Sequence, residues 1–251
     1  MQREEYVYGI RAIMEAIDAG REIDKLMIAR DVNGQLIVEL MEKAREAGVY
    51  VQRVPMERIN RITRKNHQGA LAILGVVSYY PIEHLVPELY EQGRLPFVVV
   101  LDGITDVRNF GAIARTCECA GVDAIVIPKH GSVSVGGDAI KTSAGALHYL
   151  PVCRENNIGR AVKFLKDNGY QIVAVSEKAD FNYTLGDYTG PVALVMGAED
   201  VGISPAVMKL CDTRVSIPMF GKIGSLNVSI AAGVVVYEVV NQRLRADFEV
   251  G

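Results

Sequence analysis

No apolar run in this 251-residue chain reaches the roughly eighteen residues that a membrane-spanning helix requires, so an integral helical membrane protein is excluded. The opening Met1-Gln2-Arg3-Glu4-Glu5 is too acidic for a secretory signal, and a cytoplasmic location is expected. Cysteine is scarce: Cys117, Cys119, Cys153 and Cys211 form no C-x-x-C pair and have no nearby histidine at ligand spacing. Neither a zinc site nor a disulfide framework is indicated, so reduced core thiols and no metal are expected. Positive charge is not in excess either; a net charge of -3 argues against indiscriminate polyanion binding, so any nucleic-acid contact must come from a local patch. Also absent are G-x-x-x-x-G-K-[ST] and a complete G-x-G-x-x-G, the usual cradles of nucleotide phosphates.

What is present is a chain of 27.4 kDa with 49% hydrophobic residues, enough for a small domain followed by a larger one. Residues 1–78 alternate helical and strand patterns, with helices expected over Ile10 to Ile17, Gln35 to Ala47 and Met56 to Ile62, and strands at Lys25 to Ile28, Val49 to Val51 and Ala70 to Leu74. Residues 79–95, punctuated by Pro81, Pro87 and Gly93, read as a linker. Across 96–251, short and almost continuously apolar strands are expected at Phe97 to Leu101, Ala124 to Ile127, Ile172 to Val175, Val192 to Met196 and Val215 to Ile217. Between and after them, helices are expected over Phe110 to Ala120, Asp138 to Ala146, Ile158 to Asn168, Pro205 to Leu210 and Asn227 to Arg245. Such an alternation predicts an α/β domain with a parallel sheet covered on both faces, and ligands of such sheets bind beyond the carboxyl ends of the strands.

Three strands run into loops of unusual composition. The first, Asp102 to Arg115, offers Asn109 and Arg115; the bland alternatives are a helix cap for Asn109 and a surface ion pair with Glu118 for Arg115. The second, Met196-Gly197-Ala198-Glu199-Asp200-Val201-Gly202, has dinucleotide-like glycine spacing but two carboxylates where a pyrophosphate would lie, which repel it. A glycine turn with Ser204 as cap and Pro205 in the first helical turn accounts for part of that loop without calling for Glu199. The third, Ser216 to Ser229, places Gly221, Gly224 and the polar Ser225, Asn227 and Ser229 ahead of a long apolar helix; its bland alternative is a cap at Ser225. Together the loops put backbone amides, two asparagines, an arginine and a glutamate at one edge of one sheet.

A basic patch lies in the first domain. Arg58, Arg61 and Lys65 recur at helical steps with Arg64 beside them, and no acidic residue occurs from Ile59 to Gly69. His67 has no partner ligand in the sequence, so hydrogen bonding or stacking on RNA is expected of it rather than metal binding.

In order and spacing, N-F-G-A-I-A-R-T at 109–116, L-V-M-G-A-E-D-V-G-I-S at 194–204 and S-I-P-M-F-G-K-I-G-S-L-N-V-S-I-A-A at 216–232 resemble the three motifs of the SpoU family of RNA ribose 2'-O-methyltransferases in the SPOUT superfamily. Tyr8-Gly9-Ile10-Arg11-Ala12 and Asn66-His67-Gln68-Gly69 resemble the family's L30e-like substrate-binding domain, which points to the branch acting on a guanosine of 23S ribosomal RNA. A transfer-RNA methyltransferase and a non-catalytic RNA-binding assembly factor are the alternatives.

The resemblance implies a deep trefoil knot in the carboxyl-terminal domain and S-adenosylmethionine held at Met196, Gly197, Ile217, Ser225, Leu226 and Ser229. It further implies a catalytic set of Asn109, Arg115, Glu199 and Asn227, and Glu199 and Asn227 are expected to hold Arg115 and the loops in place. RNA capture is expected of Arg58, Arg61, Arg64, Lys65 and His67 in the first domain, the bland alternative being a solvated helix face. A homodimer is expected, both copies contributing to a site. A guanidinium keeps its proton near neutrality, so Arg115 is expected to hold phosphate and stabilise alkoxide charge rather than act as a base.

Overall fold

The computed structural model describes residues 6–250 apart from 76, 134 and 180. It divides into one unit up to residue 78, grouped with 134–138, and a second of 79–133 and 139 onward.

The first unit carries a four-stranded mixed sheet ordered β1-β4-β2-β3, formed by β1 (Tyr6–Tyr8), β2 (Ile23–Ala29), β3 (Val51–Val54) and β4 (Ala70–Leu74). β4 runs antiparallel to both β1 and β2, while β3 pairs in parallel with β2. α1 (Ile10–Asp18) and α2 (Gln35–Glu46) bury Ile13, Ile37 and Leu40 against Leu26, Ile28 and Ala72. α3 (Met56–Ile62) seals a separate cluster around Ile59, Met27 and Leu71.

The second unit is built on seven parallel strands ordered β7-β6-β5-β10-β8-β11-β9. They are β5 (Phe97–Asp102), β6 (Ala124–Pro128), β7 (Val152–Glu155), β8 (Gln171–Val175), β9 (Phe181–Asn182), β10 (Val192–Gly197) and β11 (Thr213–Ser216). The central strands are buried throughout and rich in branched residues, as a sheet covered on both faces requires. On one face α4 (Ile82–Glu91), α7 (Ile158–Asp167) and α8 (Pro205–Met208) pack on Val98, Val100, Val126 and Val195. Elsewhere in the unit, α5 (Val107–Cys119) and α9 (Val228–Val250) pack against each other, and α9 contacts β10.

Residues 79–95, expected as a linker, carry α4, and this helix is part of the second unit's core. Ile82, Leu85, Val86 and Leu89 recur at helical spacing and are all buried, so the stretch is held by its apolar face despite Pro87. The single helix expected over Asp138 to Ala146 is instead α6 (Gly137–Thr142) followed by a 3-10 turn at Ala146–His148. Ala144 and Gly145 take φ of 51° and 88°, a left-handed backbone that ends the helix.

α9 is fastened at its far end. Arg243 donates to the carbonyls of Leu95 (2.8 Å), Pro96 (3.4 Å), Tyr188 (3.3 Å) and Gly190 (2.8 Å), and its guanidinium lies 5.4 Å from the Phe97 ring centroid. These carbonyls flank the starts of β5 and β10, at the amino edge of the sheet.

Candidate active site

At the carboxyl end of β5, Asp102 accepts the Ser204 N–H at 2.8 Å, tying the end of one strand to the loop that leaves β10. Asp106 then caps α5, its Oδ1 accepting the N–H groups of Arg108 (2.8 Å) and Asn109 (2.9 Å). Those two bonds, Asn109's first, hold the Asp106 carboxyl below its ordinary range. The cap is therefore Asp106, and the Asn109 side chain is left to reach another loop.

The loop after β10 turns back on itself. A Cβ at Gly197 would lie 2.1 Å from the Gly202 carbonyl carbon and 2.2 Å from the Ile203 nitrogen, so only glycine fits. Gly202 closes the turn with its N–H on Ala198 O at 2.9 Å and a φ of 69°. Ser204 and Pro205 begin α8 as the sequence predicts.

The cap of the last helix is Asn227, not Ser225, the bland alternative for this loop. The Asn227 carbonyl accepts the N–H groups of Ile230 and Ala231, each at 3.0 Å, and its Oδ1 accepts from Ser229 N (3.0 Å) and Oγ (2.5 Å). With Oδ1 engaged, the Asn227 Nδ2 donates to Glu199 Oε1 at 2.7 Å and to Asn109 Oδ1 at 3.0 Å. Asn109 Nδ2 completes the triangle, donating to Glu199 Oε1 at 3.1 Å, and the Val228 N–H adds a bond to the same oxygen at 3.3 Å. One carboxylate oxygen therefore gathers three segments far apart in sequence.

Beside the triangle is a cavity of about 600 Å³, large enough for a cofactor. It is lined by Met196, Gly197, Ile217, Ser225 and Leu226, together with Glu199 and Asn227. Sequence reasoning missed Ser176 and Glu177 in the lining, although they follow the apolar strand β8 at the same sheet edge and the strand-end rule would have found them. Ser229 is not in the lining; its side chain closes on Asn227 instead. Arg115 is exposed on α5 and joins none of these contacts, so of the two tasks expected of Glu199 and Asn227 the holding of Arg115 is corrected, while the bracing of the loops is what they do, through Asn109 and each other. The lining fits an S-adenosyl group: polar Ser225, Asn227 and Glu199 stand among apolar Leu226, Ile217 and Met196, and no side chain at Gly197 intrudes.

In the first unit Arg58, Arg61, Arg64 and Lys65 are all exposed. α3 ends at Ile62 and Thr63 is extended, so Arg64 and Lys65 lie on the following loop and the helical face expected through Lys65 stops short. Lys65 Nζ sits 5.7 Å from the Tyr8 ring centroid. His67 is buried and takes the hydrogen-bonding one of its two expected roles, not the stacking one. Its Nδ1 accepts the Gly69 N–H at 3.0 Å, and Nε2, then carrying the proton, donates to Asn60 Oδ1 at 2.9 Å.

Comparison with known proteins agrees with this architecture. The profile of the SpoU rRNA Methylase family matches residues 96–237, and that of RNA 2'-O ribose methyltransferase substrate binding matches 6–80. A Staphylococcus saprophyticus protein named for the TrmH family of tRNA/rRNA methyltransferases is 35% identical over 94% of this chain and 95% of its own. The crystal structure of an AdoMet-bound rRNA methyltransferase from Sinorhizobium meliloti is 25% identical, with a TM-score of 0.60 over 95% of this chain and 87% of that one. The A. aeolicus TrmH/SpoU tRNA modifying enzyme is 30% identical, with a TM-score of 0.56 over 66% of this chain and 86% of that one. Membership of this family implies a trefoil knot in the methylase domain. With its methylase and substrate-binding domains both matched and its loops gathered on Glu199, the chain belongs to the SpoU rRNA methylase family of RNA methyltransferases.

Proposed function

We propose that this protein is an S-adenosylmethionine-dependent RNA ribose 2'-O-methyltransferase whose substrate is a guanosine of 23S ribosomal RNA. The observation that carries the reading is the Asn109–Glu199–Asn227 triangle at the wall of the 600 Å³ cavity. The donor, when bound, supplies an activated methyl group. Met196, Gly197, Ile217, Ser225 and Leu226 would hold it, largely through backbone groups.

The rest falls to the chain's own side chains. The triangle fixes the lips of the cavity, so the acceptor hydroxyl meets a preorganised edge; alignment of this kind contributes up to roughly 7 to 11 kcal/mol in the best intramolecular cases. Asn109 orients the ribose. Arg115 holds the neighbouring phosphate and stabilises the charge that develops on the 2'-oxygen. Arg115 lies outside the cavity lining of its own chain, and α9 bears an exposed apolar stripe of Ile230, Tyr237, Leu244 and Phe248 at heptad-like spacing. Both features support a homodimer in which each copy brings Arg115 to a shared site. Arg58, Arg61, Arg64 and Lys65 of the first domain capture the RNA.

The match of the substrate-binding profile over 6–80 favours ribosomal over transfer RNA, because the tRNA enzyme of A. aeolicus matches only 66% of this chain. The experiment is to map ribose methylation in RNA from cells with and without the protein. Loss of one methyl group from a 23S guanosine is expected. Loss of a tRNA methyl group would redirect the substrate, and no loss, together with no donor uptake by calorimetry, would make the protein a binding factor.

A further inference from the structure

A second cleft opens at the carboxyl end of β7, the edge strand of the large sheet. It encloses about 400 Å³ and is lined by Tyr79, Tyr80, Glu83, Arg154, Glu155 and Arg160, with Pro81, Asn156 and Asn157 between them. The donor cavity lies at the ends of β8 and β10, and three strand spacings, about 14 Å, separate β7 from β10. The two openings share one sheet edge, because every strand between them is parallel.

The cleft is built rather than incidental. Tyr79 bridges Val152 and the Tyr80 N–H donates to Val152 O at 3.0 Å, so this segment adds to the β7 edge. The Arg154 guanidinium lies 4.9 Å from the Tyr79 ring centroid. Glu155 Oε1 accepts the Ile82 N–H at 3.4 Å, and burial raises its carboxyl above the ordinary range. Asn157 caps the ten-residue α7 through the Arg160 N–H, placing the positive end of that helix and the Arg160 side chain side by side. Tyr80 is 48% exposed, a large ring left facing solvent.

Two guanidiniums and two carboxylates make the cleft close to neutral, so it is not a track for an extended polyanion. An aromatic face, a cation beside a helix amino end and a carboxylate together match one unpaired nucleotide: a base for stacking, a phosphate, and a base edge that donates N–H bonds. Guanine offers two adjacent N–H donors on that edge, which a carboxylate accepts with its two oxygens; uracil does not.

We propose that this cleft is a nucleotide subsite separate from the donor cavity, taking an unpaired guanosine that flanks the methylated nucleotide, with its base on Tyr80, its edge on Glu155 and its phosphate on Arg160. The inference rests on the RNA-methyltransferase reading. The test is titration of the full chain, saturated with S-adenosylmethionine so that the donor cavity is filled, with guanosine 5'-monophosphate and uridine 5'-monophosphate, followed by NMR. Guanosine monophosphate should bind more tightly than uridine monophosphate. Tyr80→Ala should weaken it about 5- to 160-fold, the range for loss of one stacked base. Arg160→Ala should weaken both nucleotides, and Glu155→Gln should erase the preference for guanine while keeping the acceptor for Ile82. Donor affinity should be unchanged in all three. No guanosine monophosphate binding, or binding indifferent to Tyr80→Ala and Arg160→Ala, overturns the subsite; failure of donor binding in the wild type would instead sink the enzymatic reading.

Discussion

Asn227 Nδ2 lies 2.7 Å from Glu199 Oε1 and 3.0 Å from Asn109 Oδ1, so one carboxamide at the start of α9 joins the first turn of α5 to the loop leaving β10. The same residue caps its own helix through Oδ1, and the two tasks fix which way the amide faces.

Glu199→Ala removes the acceptor for three donors at once. Charge-assisted bonds of this kind contribute about 1.5 to 3 kcal/mol each when shielded and less at an exposed site such as this. Single-turnover methylation should fall by roughly 10-fold or more, and donor affinity measured by calorimetry should fall with it. Glu199→Gln, which keeps one acceptor oxygen, should lie between the alanine variant and wild type.

Gly197→Ala should abolish donor binding and lower the melting temperature, because the added carbon meets backbone of Gly202 and Ile203 that has no room to move. Gly190→Ala, where nothing lies within 4 Å of the new carbon, should behave as wild type in the same melting and calorimetric measurements.

Arg115→Lys keeps the charge but loses the planar fork. If the guanidinium stabilises the reacting oxygen, single-turnover rate at neutral pH should drop by roughly 100-fold, the loss seen when a preorganised donor is removed, with RNA affinity nearly intact. Equal rates for the two proteins would rule the role out.

Asp106 contributes to the pH dependence of stability. Its folded-state carboxyl sits below the ordinary 3.8, held there by the Asn109 and Arg108 N–H groups, so its contribution is complete above that value and is lost as pH falls through the lower folded value. Asp106→Asn keeps an acceptor for the cap without the charge. Acid titration of its melting temperature should be flatter than wild type below about pH 4.

Charged replacement of Ile230 and Tyr237 together should leave the monomer folded, since both side chains are at least half exposed. Sedimentation should show a shift from dimer to monomer, with methylation lost.

The sheet was legible in the sequence because its central strands are apolar on both faces, a signal that survives without any contact information. The edge strands were not: Val152–Glu155 and Phe181–Asn182 are short and mixed in polarity, so period and composition were silent. The site loops announced their residue types, but not their pairing. Nothing in the spacing tells Asn109 from Asp106 as the cap of α5, or Asn227 from Ser225 as the cap of α9, because either asparagine or its neighbour can accept an N–H. The mistaken expectation for Arg115 has the same origin, since a helix places residues 109 and 115 on different faces and motif order does not reveal which one meets Glu199. His67 looked available only because its two hydrogen-bond partners, Asn60 and Gly69, are invisible as such in a linear string.

Between Asn227 and Arg243 the last helix covers sixteen residues, about 24 Å of axial rise, and it is pinned at one end to the donor loops and at the other to the carbonyls where β5 and β10 begin. It is a strut laid across the full depth of the sheet. The Asn227 cap at the lip of the cavity and the Arg243 fastening at the opposite rim of the domain are thereby joined by one uninterrupted run of helical backbone.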